Sequence, residues 1–204
     1  MRGLDDLHLV TDLRGGRDPL PDVGAALACG LTCVQVRAKQ LPDTALLELT
    51  KQVVALARPY GATVLVDDRV DIALAAGADG VHVGAQDLPV ADVRRIAGPD
   101  LIVGATARTP EIALAAQRAG ADYVGVGPVF PTRTKAGLPD PIGLAGIEAV
   151  AGAVGCLVIA IGGIALEHVP DLLTAGARGL AVVSALADDP AATSAFRAAL
   201  TGHR

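Results

Sequence analysis

The chain contains no tryptophan and a single methionine, and Tyr60, Tyr123, Phe130 and Phe196 are its whole aromatic complement in 204 residues. So few rings give no stacking platform for bases, and a formal net charge of −5 gives no basic face. Nucleic acid is therefore excluded as a partner. Cysteine is almost as scarce. Cys29, Cys33 and Cys156 are odd in number and lie in apolar segments, so they read as reduced core residues rather than a disulfide or zinc framework. No apolar run reaches membrane-spanning length, and Met1-Arg2-Gly3-Leu4-Asp5-Asp6 lacks the apolar stretch of a signal peptide. A cytoplasmic protein without a membrane partner is expected.

What the chain has in quantity is aliphatic bulk. Hydrophobic residues make up 51% and charged residues 19%, as expected for one packed domain over residues 1–204. Four segments resemble one another: Gly30–Arg37, Gly77–Gly84, Gly120–Gly127 and Gly176–Val183. Each opens on a glycine suited to a helix C-cap, makes a short turn and runs into a Val- or Leu-rich strand. Further strands are predicted at Leu7–Val10, Thr63–Val66, Leu101–Val103 and Leu157–Ile161, for eight in all. Helical patterns follow, including Pro42–Tyr60, Pro89–Ala97, Thr109–Ala119, Leu166–Ala175 and Pro190–Leu200. Eight alternating β/α units predict an α/β fold, a single-domain (β/α)8 TIM barrel, with a doubly wound open sheet as the alternative.

In a barrel the chemistry sits at the C-terminal ends of the strands. Those positions hold Gln35, Arg37 and Lys39 after strand two, Asp67, Asp68 and Arg69 after strand three, and Gln86 and Asp87 after strand four. Thr106 follows strand five, Gly162-Gly163-Ile164 strand seven and Ser184 strand eight. Past strand six runs Gly127-Pro-Val-Phe-Pro-Thr-Arg-Thr-Lys135, where two hydroxyls (Thr132, Thr134) and two cations (Arg133, Lys135) suit an oxyanion such as phosphate. Gly162-Gly163 with Ser184 suits a second phosphate, since glycine lets backbone N–H groups approach oxygens closely; a plain tight turn is the competing reading. Asp68 and Asp87, on neighbouring strands and without His or Cys, suit Mg²⁺, although Asp68 could instead cap the helix starting at Val70. With Arg37 and Lys39 at the same mouth, two phosphorylated ligands are implied, one carrying a metal-bound diphosphate. His82 reads first as a satisfied core residue, with substrate contact the lesser alternative. His8, His168 and His203 read as peripheral, and Asp71 as a helix-surface carboxylate.

Taken together these motifs resemble the thiamine-phosphate synthase family, also called thiamine-phosphate pyrophosphorylase, from Leu7 to about Ala187. The family's Gln-x-Arg-x-Lys matches Gln35-Val36-Arg37-Ala38-Lys39, its Asn-Asp signature matches Asp67-Asp68, and its Gly-Pro-x-aromatic-x-Thr-x-Thr-Lys stands intact at Gly127–Lys135. Ile-Gly-Gly-Ile and Val-Ser-Ala recur at 161–164 and 183–185. The resemblance implies that an aminopyrimidine methyl diphosphate loses pyrophosphate and that a thiazole phosphate (or its carboxylate) captures the resulting cation, giving thiamine phosphate. Gln35, Val36, Arg37, Ala38, Lys39, Thr106 and Lys135 would hold the pyrimidine diphosphate, with Arg37, Lys39, Thr106 and Lys135 as the catalytic set. Asp68 and Asp87 would hold Mg²⁺. Thr132, Thr134, Gly163, Val183 and Ser184 would hold the thiazole phosphate, beside Arg133.

Several positions depart from the family pattern. Asp67 replaces Asn, Ala38 replaces Glu, Ala85 replaces Gln with Gln86 one place later, and Thr106 replaces Ser. Asp67 sets a second carboxylate beside Asp68, so it is expected to join the Mg²⁺ shell or to pair with Arg37 or Lys39, the alternative being a helix-capping role. Two other functions compete. Thiazole tautomerases share the fold but carry a histidine where Pro128 stands, and a degenerate non-catalytic homologue would explain Asp67 and Ala85. Small phosphorylated heterocycles are the expected partners, and a homo-oligomer is compatible with the chain.

Overall fold

The computed structural model describes residues 4, 6–132, 134 and 137–202. Eight parallel strands close into a barrel in sequence order: β1 (Leu7–Val10), β2 (Cys33–Val36), β3 (Thr63–Asp67), β4 (Gly80–Val83), β5 (Ile102–Ala107), β6 (Tyr123–Val126), β7 (Leu157–Ile161) and β8 (Gly179–Val182). The open-sheet alternative is thereby set aside, because β8 pairs back onto β1 through Leu7–Leu180 and His8–Ala181. Around them run α1 (Leu20–Ala28), α2 (Asp43–Ala57), α3 (Val70–Ala76), α4 (Val90–Ala97), α5 (Pro110–Arg118), α6 (Gly143–Ala153), α7 (Val169–Thr174), α8 (Ser184–Ala187) and α9 (Ala192–Thr201). No helix among the described residues is long and apolar enough to cross a membrane.

The four related segments fold alike. Gly30, Gly77, Gly120 and Gly176 all have φ between 69° and 100°, the left-handed region where glycine escapes the Cβ penalty. Directly after each, the backbone N–H of Leu31, Ala78, Ala121 and Ala177 reaches the carbonyl five residues back, at 3.0 Å in every case. This is the hydrogen bond that stops a helix and turns the chain into the next strand. At the closed end, Asp79 and Asp122 accept the N–H groups of Val64 and Val103 at 2.7 and 2.8 Å, tying neighbouring strands where no chemistry is needed.

Alternation along each strand separates two cores. Val34, Val36, Val64, Val66, Val81, Val124 and their like point outward to the helices. Val10, Cys33, Leu65, Tyr123, Ile159 and Ala181 fill the barrel interior. Strand interiors are apolar on both faces because a barrel covers both.

Boundaries shift modestly from expectation. β5 starts at Ile102 and extends to Ala107, so Thr106 lies inside the strand, and β3 includes Asp67. The helix expected over 42–60 is α2 followed by a tighter turn at Arg58–Tyr60, where Pro59 ends the regular ladder. Pro42 and Pro89 stand one position before α2 and α4 rather than in their first turns. His8 is not peripheral. It is fully buried in the barrel, its Nε2 2.8 Å from Leu4 O and its ring edge-on to Tyr123. Cys33 is a core residue as expected, its thiol pushed far up by burial, whereas Cys29 and Cys156 are half-buried; all three are free.

Candidate active site

The mouth at the C-terminal ends of the strands encloses a cavity of about 1050 Å³. Gln35, Arg37, Ala38, Lys39, Asp67, Asp68, Asp87, Thr106, Thr132, Thr134, Gly163, Val183 and Ser184 all line it. Val36 does not: its parity on β2 turns its side chain outward into the helix-facing core, where it is fully buried. Arg133, Lys135 and His203 lie outside the described residues.

On the β2–β4 side the groups form two ion pairs. Gln35 donates its side-chain amide to Asp67, and Arg37 Nε stands 3.5 Å from Asp67 Oδ2. Lys39 Nζ lies 2.6 Å from Asp68 Oδ2. Burial first, and the adjacent Asp68 charge second, push the Asp67 carboxyl up to about 7, against the pull of Gln35, Arg37 and Lys39. Asp67 thus pairs with Arg37, one of the two cations expected for it.

Asp68 sits at φ +65°, in the left-handed region that few residues other than glycine adopt and that Asp tolerates better than most. Its N–H donates to His82 O at 2.8 Å. No side chain caps α3, so neither Asp67 nor Asp68 takes the capping role. Asp87 is fixed by the Gly84 N–H at 2.7 Å, and Asp68 and Asp87 are close enough to share a hydrogen bond. Burial and that contact raise Asp68; burial opposes ionisation of Asp87 as well, but the Asp68 and Gly84 contacts hold it low. Two carboxylates competing for one proton beside a cavity form a hard-oxygen site that a divalent cation fits. Among the described residues no third His, Cys, Asp or Glu joins them, so other ligands would have to come from water and substrate.

The β6–β8 side is built differently. The β6 loop continues as an extended segment on the β7 exit, with Val129 N–H to Ile161 O and Phe130 N–H to Gly162 O, both 3.0 Å. Gly163, at φ +67°, lies against the Phe130 and Pro131 carbonyls, where a Cβ would collide. The glycine pair therefore serves loop packing and opens the cavity wall at once. Phe130 stacks on His168 with centroids 4.0 Å apart, and His168 Nδ1 accepts the Ala165 N–H at 3.0 Å, joining the two loops. Thr132 and Thr134 hydroxyls meet at 3.1 Å.

One stretch of the mouth goes unpredicted. The loop after β1 brings Asp12, Arg14 and Arg17 to the rim, with Arg14 Nε 2.8 Å from Asp12 Oδ1 and Arg17 bridging Asp22 and Asp188 at 2.7 and 3.0 Å. The strand-end rule that picks out the other loops applies equally to β1, and Arg14-Gly15-Gly16-Arg17 is the signal it offers. His82 is both satisfied and exposed to the cavity: its ring nitrogens meet Tyr123 Oη at 2.9 Å and Thr106 Oγ1 at 3.0 Å.

A family model described as thiamine monophosphate synthase matches residues 7–186. The chain is 53% identical to a thiamine-phosphate synthase of Salinispora arenicola, covering 98% of this chain and 100% of that one. It is 49% identical to one of Anaeromyxobacter dehalogenans, covering 93% and 86%. Among solved structures, a thiamine phosphate pyrophosphorylase from Pyrococcus furiosus superposes with a TM-score of 0.88 at 38% identity, covering 97% of this chain and 96% of that one.

Proposed function

The chain belongs to the thiamine monophosphate synthase family and is a transferase of thiamine-phosphate synthesis, and from that premise we propose how its mouth performs the reaction. The pyrimidine diphosphate lies against β2–β5 and the thiazole phosphate against β6–β8. The observation that carries this reading is one cavity with unlike walls on opposite sides of the barrel: cations with paired carboxylates on one, hydroxyls and an open glycine backbone on the other.

Arg37 and Lys39 meet the diphosphate as donors, and Thr106 adds a hydroxyl. As the C–O bond to the diphosphate breaks, negative charge grows on the leaving oxygens, where fixed donors stabilise it more than they stabilise the ground state. The pyrimidinyl-methyl cation left behind is captured by the ring nitrogen of the thiazole, held in place through its phosphate by Thr132, Thr134, Gly163 and Ser184. Loss of a diphosphate needs no general base, in keeping with a mouth that contains no Ser-His-Asp or Cys-His pairing among the described residues. Asp68 and Asp87 would hold Mg²⁺, which supplies charge neutralisation to a bound diphosphate. Pro128 carries no proton-transferring group where the tautomerase reading requires a histidine, which favours the synthase. A reducing, cytoplasmic setting belongs to the same proposal and is supported by three free cysteines.

A coupled pyrophosphate assay tests the reading. Pyrophosphate release from the pyrimidine diphosphate should depend on both thiazole phosphate and Mg²⁺. Inertness toward the pair of substrates, or release independent of thiazole phosphate, would refute it.

A further inference from the structure

His82 lies between two groups that give its ring a direction. On β4 it points into the barrel, in register with Gly104 of β5, which in turn pairs with Tyr123 of β6. Two missing side chains make this possible. A Cβ on Gly104 would overlap the Tyr123 ring, and a Cβ on Gly125 would press on His82 Cε1 at 2.9 Å. The space they leave holds a chain of three polar groups: Tyr123 Oη, His82 Nδ1 and Nε2, and Thr106 Oγ1, joined at 2.9 and 3.0 Å.

The protons along that chain are fixed by burial. Tyr123 is almost completely buried, and among the described residues its hydroxyl meets no polar atom other than His82 Nδ1. Burial holds the phenol well above its ordinary range, so it keeps its proton. If Nδ1 carried hydrogen, the Tyr123 proton would be left buried without an acceptor, an arrangement proteins avoid. Tyr123 therefore donates to Nδ1, and Nε2–H donates to Thr106 Oγ1. A hydroxyl that accepts from the protein on one side has its own hydrogen free to turn elsewhere, and Thr106 faces the cavity.

We infer that Tyr123 and His82 are positioning residues that commit the Thr106 hydroxyl to donate into the cavity, toward an anionic oxygen of the substrate on the β2–β5 side. The inference rests on the synthase reading for the identity of that substrate, but not for the direction of the relay. His82 acts through Thr106 and need not touch the reacting atoms. The same alignment would give an oxyanion leaving group a donor that requires no reorientation as charge develops.

Two measurements test it. In protein labelled with ¹⁵N-histidine, the resonances lost on His82→Ala should be those of the Nε2–H tautomer; the Nδ1–H tautomer would overturn the inference, and this readout needs no turnover. In steady-state kinetics, Thr106→Ala and His82→Ala should each lower kcat/KM for the pyrimidine diphosphate by roughly ten-fold, the scale of one hydrogen bond to a charged group, while KM for thiazole phosphate stays within about two-fold. The double variant should be no worse than Thr106→Ala alone, whereas additive losses or equal effects on both substrates would contradict a role exercised through Thr106. Should His82→Ala not fold, Tyr123→Phe replaces it in the cycle with the same expectation, and His82→Gln supplies the reference for the spectrum. A wild-type protein that released no pyrophosphate would refute the synthase reading, and the tautomer would still judge the relay.

Discussion

Arg37 Nε faces Asp67 Oδ2 at 3.5 Å in the barrel mouth, and the same carboxylate takes the Gln35 amide. A residue that adds negative charge beside the proposed diphosphate site is thus tied to one of the cations that site would use. The pairing orients Arg37 at the cost of a buried carboxyl whose ionisation is opposed.

That cost makes stability depend on pH. The Asp67 carboxyl titrates near 7 in the fold against its ordinary 3.8, so the folded protein holds a proton that the unfolded chain has lost. Stability present below about 3.8 is lost as pH rises toward 7, by up to roughly 4 kcal/mol over that window. Asp67→Asn should remove this slope and be the more stable protein above pH 7. Urea unfolding of both proteins in EDTA at pH 5, 7 and 8 reads the difference; parallel profiles would show that Asp67 is ionised throughout. Because Asp67 faces Arg37, the Mg²⁺ requirement of the variant should match the wild type.

Asp68→Asn and Asp87→Asn should each reduce turnover by at least about a hundred-fold, since losing one hard ligand of two removes several kcal/mol of charge stabilisation. Excess EDTA should abolish wild-type activity, and Mg²⁺ should restore it. Undiminished turnover in EDTA would sink the metal role.

Ser184→Ala should raise KM for thiazole phosphate about ten-fold, the loss of a hydrogen bond to a charged group, and leave KM for the pyrimidine diphosphate unchanged. Initial rates with each substrate varied in turn decide this. Equal changes in both would mean that the two walls do not bind separate ligands.

Gly104→Ala should destabilise the barrel by about 1–3 kcal/mol or more, because the added methyl overlaps the buried Tyr123 ring and nothing nearby is flexible enough to yield. For a chain of this length that corresponds to a fall in Tm of roughly 2–12 °C, measurable by calorimetry. An unchanged Tm would show that the interior has slack the packing does not reveal.

The repeated Gly-x-x-x-Val/Leu-x-Val pattern was enough to mark alternating helices and strands, because a left-handed glycine stops each helix and the strand follows within a few residues; both are local effects, whereas closure into a barrel shows only where β8 pairs with β1. The strand-end rule likewise collected Arg37, Lys39, Asp68, Asp87, Thr106 and Ser184, since closure brings every such end to one mouth. What local pattern does not carry is parity and partner. Val36 stands between two mouth residues in sequence yet faces the helices, because adjacent strand residues point to opposite faces. His8 looks like an isolated polar residue until β8 closes against β1 and encloses it. Asp67 has two cations within four residues of Gln35, and only the parallel pairing of β2 with β3 gives it Arg37 and leaves Lys39 to Asp68. The choice between His82 as core and His82 as site turned on Gly104 and Gly125, two residues far apart in the chain whose lack of side chains creates room that only the folded barrel assembles. The sequence by itself determined the order and kind of the elements and which chemistry gathers at the mouth, because helix stops and strand patterns are set by neighbours along the chain. The tertiary structure decided which of those groups touch, because that depends on contacts between strands dozens of residues apart.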